Sequence, residues 1–354
     1  MKKVNIGIIG CGNIANIHVL GLKSILEQEL YDIEILAASD VDKERLNNFG
    51  KRNQIEKLYD IPEDLINDNE IDTIYICTPT KYHKKYVLQS LQKNKHVFCE
   101  KPVATNLNDV EELRNVARST DVISQVGFVI RYSPLFENFM EEFLNNNDLG
   151  RIMTIMFRDD QKFPIGGKYK SSWRAKKEIT GGGTLIEHSI HDIDAIMAMT
   201  ESKIKKLYCQ TKYFSKFDVE DLAIINFELE NNISGTLTSC WHNIKRDERL
   251  IEIFFENGWL RIEITPKVDI QLKIGDNKTQ KLKANRIQRD ICEKKGLNPN
   301  YVNFPYYYED LEFISSINNN TKPKTGFEEA LVAHKVIDAA YKSAELDKII
   351  NIDY

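Results

Sequence analysis

Residues 4–15 read VNIGIIGCGNIA, an apolar run that ends in a glycine turn. Val4 to Ile9 is short, branched and continuous, which suits a strand buried on both faces of a parallel sheet. Gly10 permits a tight turn, Gly12 lets backbone approach a pyrophosphate, and Ala15 allows close contact between helix and strand. The helix that follows, predicted over Ile14 to Leu26, opens with amides that suit an anion. Gly10, Gly12, Asn13 and Ile14 are therefore expected to bind a dinucleotide.

Working outward, short apolar runs alternate with helical stretches. Ile33 to Ala38, Thr73 to Cys77, His96 to Cys99 and Ile123 to Phe128 are predicted strands, with Lys84 to Gln92 and Asn108 to Arg118 as helices. This grammar predicts a doubly wound parallel α/β sheet, of Rossmann type, over residues 1–125. Asp40 falls just past the second strand, where a carboxylate can accept from the adenosine ribose hydroxyls and repel a 2'-phosphate, favouring NAD. Ser39 and Lys43 leave NADP open, and a turn-forming aspartate is the plainer reading of Asp40.

Residues 126–354 read differently, as a substrate-binding and oligomerisation domain. Ile152 to Phe157, Ile204 to Cys209, Leu222 to Leu229, Ile233 to Cys240, Leu250 to Phe255 and Trp259 to Ile264 are predicted strands, with Asn257-Gly258 as a hairpin turn. Ile251, Ile253 and Phe255 share one face while Leu250 and Phe254 lie on the other. Both faces are partly apolar, so one is expected to meet the helices of its own chain and the other to meet another subunit. Glu328 to Ala344 is a predicted helix, a candidate to pack back near the first domain.

The bulk numbers fit a two-domain globular protein of 354 residues, 42% hydrophobic and 29% charged. Net charge is −5, from 48 basic and 53 acidic residues that are interspersed, which argues against a nucleic-acid surface. Six cysteines without a CxxC pair read as reduced core residues. The amino terminus enters a strand directly, and no run approaches the ~20 apolar residues of a membrane span. A cytoplasmic protein without a membrane partner is the expectation.

Lys101 follows a strand end and precedes Pro102, which keeps its backbone out of the α region. Such a mount can aim an ammonium group at a nicotinamide ring and a substrate oxygen. The glycine run Gly181 to Gly183 leads into a helical stretch where Glu187, His191 and Asp194 recur at one-face spacing. His191 is a candidate general base, because imidazole titrates near neutral pH. Glu187 is expected to orient a substrate hydroxyl or hold the imidazole, and Asp194 reads equally as a structural partner. The order EHxxH at Glu187 to His191 supplies two histidines but no third metal ligand nearby, so no metal is expected. Between Phe157 and Gly181 stand Lys162, Lys168, Lys170, Arg174, Lys176 and Lys177. They read as a solvated face or, overhanging a cleft, as a preference for an anionic sugar. Trp173 beside Arg174 can cover a sugar ring, although core packing explains it equally well.

GCGNIA at 10–15, CTPTKYHKK at 77–85, KHVFCEKP at 95–102, GFVIRYSP at 127–134, GGGTLIEHSIHDID at 181–194 and TGFEEALVAHKVIDAAYKSA at 325–344 together resemble the Gfo/Idh/MocA oxidoreductase family. The resemblance spans nearly the whole chain. It implies a Rossmann domain followed by an open, mostly antiparallel sheet, assembled as a homodimer or homotetramer. It implies that Lys101 binds the reacting hydroxyl, that His191 is the general acid/base, and that Glu187 fills a position often occupied by aspartate. Thr78 and Pro79 match the loop beneath the nicotinamide, His83 a histidine near the cofactor, Glu100 the neighbour of the lysine, and Arg131 the border of the substrate cleft. The implied activity is NAD(P)-dependent hydride transfer on a hydroxyl-bearing carbon of a sugar or cyclitol. A sugar-nucleotide dehydrogenase and a noncatalytic NAD-responsive sugar-binding regulator stand as alternatives.

Overall fold

The computed structural model describes residues 3–144, 146–165, 171–244, 247–264, 268–299 and 305–354. The chain divides into two compact units, Met1–Tyr132 with Asn298–Leu331, and Ser133–Leu297 with Val332–Tyr354. The division falls at Tyr132 where a boundary after residue 125 was expected. The segment that returns to the first unit includes a helix at Pro305–Asn319, whereas most of the final helix belongs to the second.

The first unit runs β1 (Val4–Ile9), α1 (Asn13–Glu27), β2 (Ile33–Ser39), α2 (Lys43–Asn53), β3 (Lys57–Tyr59), α3 (Pro62–Asn67), β4 (Thr73–Ile76), α4 (His83–Gln92), β5 (His96–Cys99), α5 (Leu107–Arg118) and β6 (Ser124–Val126). Its strands lie in the order β3-β2-β1-β4-β5-β6, and all pairs are parallel. The order reverses between β1 and β4, so the loops after these two strands flank the switch point where such sheets bind ligands. Ile6, Ile8 and Ile9 are fully buried, as a strand covered on both faces requires. Asp42 caps α2 by accepting from the Arg45 amide, and Asn106 caps α5 by accepting from Asp109.

The second unit begins with α6 (Pro134–Glu142), β7 (Ile152–Lys162), α7 (Lys177–Thr180), α8 (Thr184–Glu187), α9 (Ile190–Met199), β8 (Ile204–Lys212), β9 (Leu222–Leu229) and β10 (Ser234–His242). It continues through β11 (Glu248–Phe255), β12 (Gly258–Ile264), β13 (Val268–Ile274), β14 (Gln280–Leu282) and α10 (Ala284–Lys294). The chain closes with α11 (Pro305–Asn319), assigned to the first unit, α12 (Phe327–Leu346) and β15 (Ile350–Asn351). The strands of the second unit form one open sheet in the order β14-β13-β12-β11-β7-β10-β9-β8-β15. Pairing is antiparallel except between β7 and β10. Alternation along β11 is clean: Ile251, Ile253 and Phe255 are buried, and Leu250 and Phe254 are half-buried on the reverse face. That reverse face mixes apolar chains such as Met156 with ion pairs including Arg158 to Glu248. All six cysteines are free, and all but Cys240 are buried. Among the described residues no helix is long and apolar enough to cross a membrane.

If the half-buried face of this sheet is closed by a second copy, a charge at its centre opposes assembly. Light scattering is expected to show an oligomer for the parent and a monomer for Phe254→Glu, with unchanged circular dichroism.

Candidate active site

At the switch point, Gly10 has φ +94°, a conformation open to glycine. A Cβ at Gly10 would also come within 2.6 Å of the Cys77 carbonyl oxygen, so this glycine lets the loops after β1 and β4 touch. Among the described residues, nothing lies within 4 Å of where a Cβ on Gly12 would stand, and no side chain caps α1. The helix start is thereby left open with its first amides presented, which fits a pyrophosphate. Cys11, within the turn, is no nucleophile: burial and the Asp40 charge push its thiol up to about 12. Asp40 accepts from the amides of Cys11 and Asp42, both at 2.9 Å, and so sits against the glycine turn with lone pairs to spare. Arg45 lies 3.6 Å from Asp40, although its closer partner is Asp42 at 2.8 Å.

His83 opens α4 and is buried, with one ring nitrogen 2.7 Å from the Thr78 carbonyl and the other 2.7 Å from that of Pro102. Expected among the cofactor contacts, it ties the Thr78-Pro79 loop to the segment that carries Lys101. Lys101 is half-buried, and its amide donates to the Glu100 carboxylate at 3.1 Å. Glu100 also receives His18 of α1 at 2.9 Å, while the other ring nitrogen of His18 meets Asp310 of α11 at 2.7 Å. Burial alone would lower the His18 pKa, but Asp310 and Glu100 outweigh it and hold the imidazolium well above its ordinary range. In turn, burial would raise Glu100, yet hydrogen bonding and charge from His18 keep it below the ordinary carboxylate range. Glu309 stands beside this group, fully buried, with neither carboxyl oxygen hydrogen-bonded among the described residues. His18, Glu100 and Glu309 are metal-ligand types whose atoms lie within 4.8 Å of one another. Both ring nitrogens of His18 are already turned to carboxylates, however, which leaves it no lone pair to offer a cation. Arg131 lies in the short turn Val129–Tyr132 of the same unit and is half-buried.

In the second unit the expectation of one continuous helix from Glu187 to Asp194 needs correction. The path breaks at His188 and Ser189, where the Ser189 amide reaches back to the Thr184 carbonyl, and α9 starts afresh at Ile190. His188 leaves the helical path and places its ring 2.9 Å from Asp159. Arg249 joins the same Asp159 oxygen at 2.6 Å and reaches Asp192 at 3.2 Å. Burial works against ionising either acid; the Arg249 guanidinium and the contact with His188 hold Asp159 charged and far below the usual range, and Asp192, beside that charge, is pushed well above it.

Glu187 is 2% exposed and accepts from Arg174 Nε at 3.0 Å. Arg174 stacks over Trp173 at 4.5 Å, so two residues expected to face substrate form one unit with Glu187. Lys168 and Lys170 of the basic connection lie outside the described residues. His191 is buried at 7% exposure, and Asp194 is buried on α9. The mount for Glu187 is a carboxylate that sequence reading missed. Glu220 accepts from the amides of Gly183 at 2.6 Å and Leu185 at 3.0 Å, and from Tyr341 Oη at 2.8 Å. It caps α8 from the side, and any side chain at Gly183 would run into the Glu220 backbone. Its one visible trace was the glycine run, which marks a close backbone approach without naming the partner.

With this geometry in view, the chain belongs to the Gfo/Idh/MocA oxidoreductase family. The model of that family with an NAD-binding Rossmann fold matches residues 4–128, and its C-terminal domain matches 139–261. The chain is 33% identical over 262 residues to glucose-6-phosphate 3-dehydrogenase of Bacillus subtilis, covering 70% of each chain. It is 25% identical over 360 residues to myo-inositol 2-dehydrogenase of Thermotoga maritima, covering 99% of each. A solved levoglucosan dehydrogenase, in complex with NADH and levoglucosan, shares the fold at a TM-score of 0.86 and 16% identity, over 99% of this chain and 100% of that one. The protein is thus an NAD(P)-binding oxidoreductase.

The neutral Glu309 carries a pH signature. Burial first, and then the charge of Glu100, raise its carboxyl well above the ordinary value. The folded chain keeps a proton there that the unfolded chain releases, so the parent loses stability as pH rises from the unfolded value, ~4.3, toward the folded one. Glu309→Gln removes that loss. Beyond a constant offset, its Tm relative to the parent is expected to climb between acidic and alkaline pH in scanning calorimetry. A difference independent of pH would mean that Glu309 is ionised in the fold.

Proposed function

We propose that the protein transfers hydride between NAD and a hydroxyl-bearing carbon of a sugar or cyclitol. The observation that carries this reading is the set of chemistries present: an ammonium group on a rigid mount in the NAD-binding unit, and a histidine and a glutamate in the other that are both buried and four residues apart in the chain. Relatives named for action on myo-inositol and glucose 6-phosphate support the substrate class. When bound, the dinucleotide supplies the hydride acceptor. His191 takes the hydroxyl proton, and Lys101 stabilises the alkoxide as it develops. Glu187, held by Arg174, orients the substrate hydroxyl or the imidazole. Glu100 and His83 act through Lys101 by fixing the backbone around it.

Arg174 spends its charge on Glu187, which weakens the preference for an anionic sugar expected from the basic connection. An uncharged ring fits this part of the site better.

Removal of general-base help typically costs ~10²- to 10⁴-fold. His191→Ala and Lys101→Ala are each expected to lower the rate of nicotinamide reduction by that order in stopped-flow absorbance, while NADH titration still reports binding. Parental hydride-transfer rates in a folded variant would remove that residue from the reaction and favour the noncatalytic regulator.

Asp40 is assigned the ribose contact that selects NAD. The parent is expected to have the higher kcat/KM with NAD, and Asp40→Ser to move the NAD to NADP ratio by about tenfold toward NADP, helped by the nearby Arg45. A ratio unchanged by the substitution would leave Asp40 as a brace of the glycine turn only.

A further inference from the structure

Beyond the strand ends of β7 and β10, the second unit holds a cavity of about 370 Å³. Its walls include Phe163, Phe217 and Trp241, with ring centroids 5.4 Å apart from Phe163 to Phe217 and 5.2 Å from Phe163 to Trp241, tilted by 50° and 56°. Phe214, at the rim, is 78% exposed. We propose that this cavity is a carbohydrate subsite that takes an uncharged pyranose ring joined to the ring that is oxidised, so that the substrate is a glycoside. The inference rests on the sugar dehydrogenase reading and names its substrate more closely.

Four observations carry it. The first is size: an apolar cavity of ~150 Å³ admits benzene, so a cavity of this volume has room for a six-membered ring and its hydroxyls. The second is chemistry, because tilted aromatic walls suit the C–H faces of a sugar while the polar rim suits its hydroxyls. The rim holds the cation Lys162 and the lining holds the anion Asp221, a balance that favours a neutral ring over a phosphate or carboxylate.

The third is rigidity. Asp221 is 3% exposed and accepts from the amides of Phe214 at 2.5 Å and Ser215 at 2.6 Å, and from Ser215 Oγ at 2.9 Å. That carboxylate pins the rim loop, so Phe214 is held out by design of the backbone and does not fold into the core.

The fourth is place. In the parallel register of β7 and β10, Asp159 pairs with Ser239 and Gln161 with Trp241. Asp159 holds His188, and Ser239 meets Thr184 at 2.7 Å at the start of the helix that ends in Glu187. Trp241 lies on the same face as Ser239, one side-chain step further along, or roughly 7 Å. The aromatic cavity therefore adjoins the mount of Glu187 within one unit.

Calorimetry on the whole chain, with glucose and myo-inositol as one-ring probes and maltose and cellobiose as two-ring probes, tests this. At least one two-ring sugar is expected to bind about tenfold tighter than glucose, and Phe217→Ala to erase that advantage while leaving one-ring binding unchanged. Phe214→Ser, at an exposed position, is expected to reduce the advantage and serves if Phe217→Ala does not fold. Equal or weaker binding of both two-ring sugars overturns the proposal, as does an advantage that survives both substitutions. Loss of oligomerisation in Phe214→Ser with sugar binding untouched also overturns it, by assigning the cavity to a second copy. The two readings fail separately. Two-ring binding without nicotinamide reduction by any sugar sinks the dehydrogenase reading alone, and turnover of one-ring sugars without a two-ring advantage sinks the subsite alone.

Discussion

His18 has no exposed surface and stands between two carboxylates, Glu100 and Asp310. Taking charges from water into a protein interior costs several kcal/mol per ion, and the cost is offset only where geometry and hydrogen bonding are good. Here the imidazolium meets an oxygen on each side at hydrogen-bond distance. The consequence is positional, because one side chain fixes the rotation of α1, the end of β5 and the placement of α11. The glycine turn opens α1, and Lys101 follows β5. Both functional edges of the first unit inherit their rigidity from this buried contact, and removing any partner would strand a charge.

The second unit solves a similar problem with a different device. Glu187 sits on a helix too short to be stable alone, and nucleation of so few residues is unfavourable. Glu220 supplies the missing order by accepting the amides at the start of α8, with Tyr341 as its third donor. Arg174 then orients the Glu187 carboxylate itself. A buried acid thus holds the backbone while a half-buried base holds the side chain.

Each unit also separates two neighbouring acids. Glu100 is held charged and Glu309 neutral in the first; Asp159 is held charged and Asp192 neutral in the second. In both cases the charged member is the one that meets a histidine, and the neutral member pays the cost of lying near it. Carboxylates this close cannot both ionise cheaply in a desolvated site.

Much of the architecture was legible in local pattern. VNIGIIGCGNIA set the first strand, turn and helix within a residue of where they stand, and alternation put Ile251, Ile253 and Phe255 together on one face of β11, the face that is buried. Glycine spacing and hydrophobic periodicity act over a few residues, so a linear reading captures them. The same rule misjudged Glu187 to Asp194, where regular spacing suggested one helix and the His188 contact with Asp159 broke it. It was silent on Glu220, Asp221 and Asp310, since an acid in a loop or helix looks like any solvated surface group until its partner is known. His18 and Asp310 are 292 residues apart. The sequence by itself determined the strand and helix order, the glycine turn, and which lysine and histidine to suspect. Tertiary structure alone decided which acids are charged, which are neutral and which side chains hold the reactive ones, because burial and long-range pairing set those properties and neither is written in any local window.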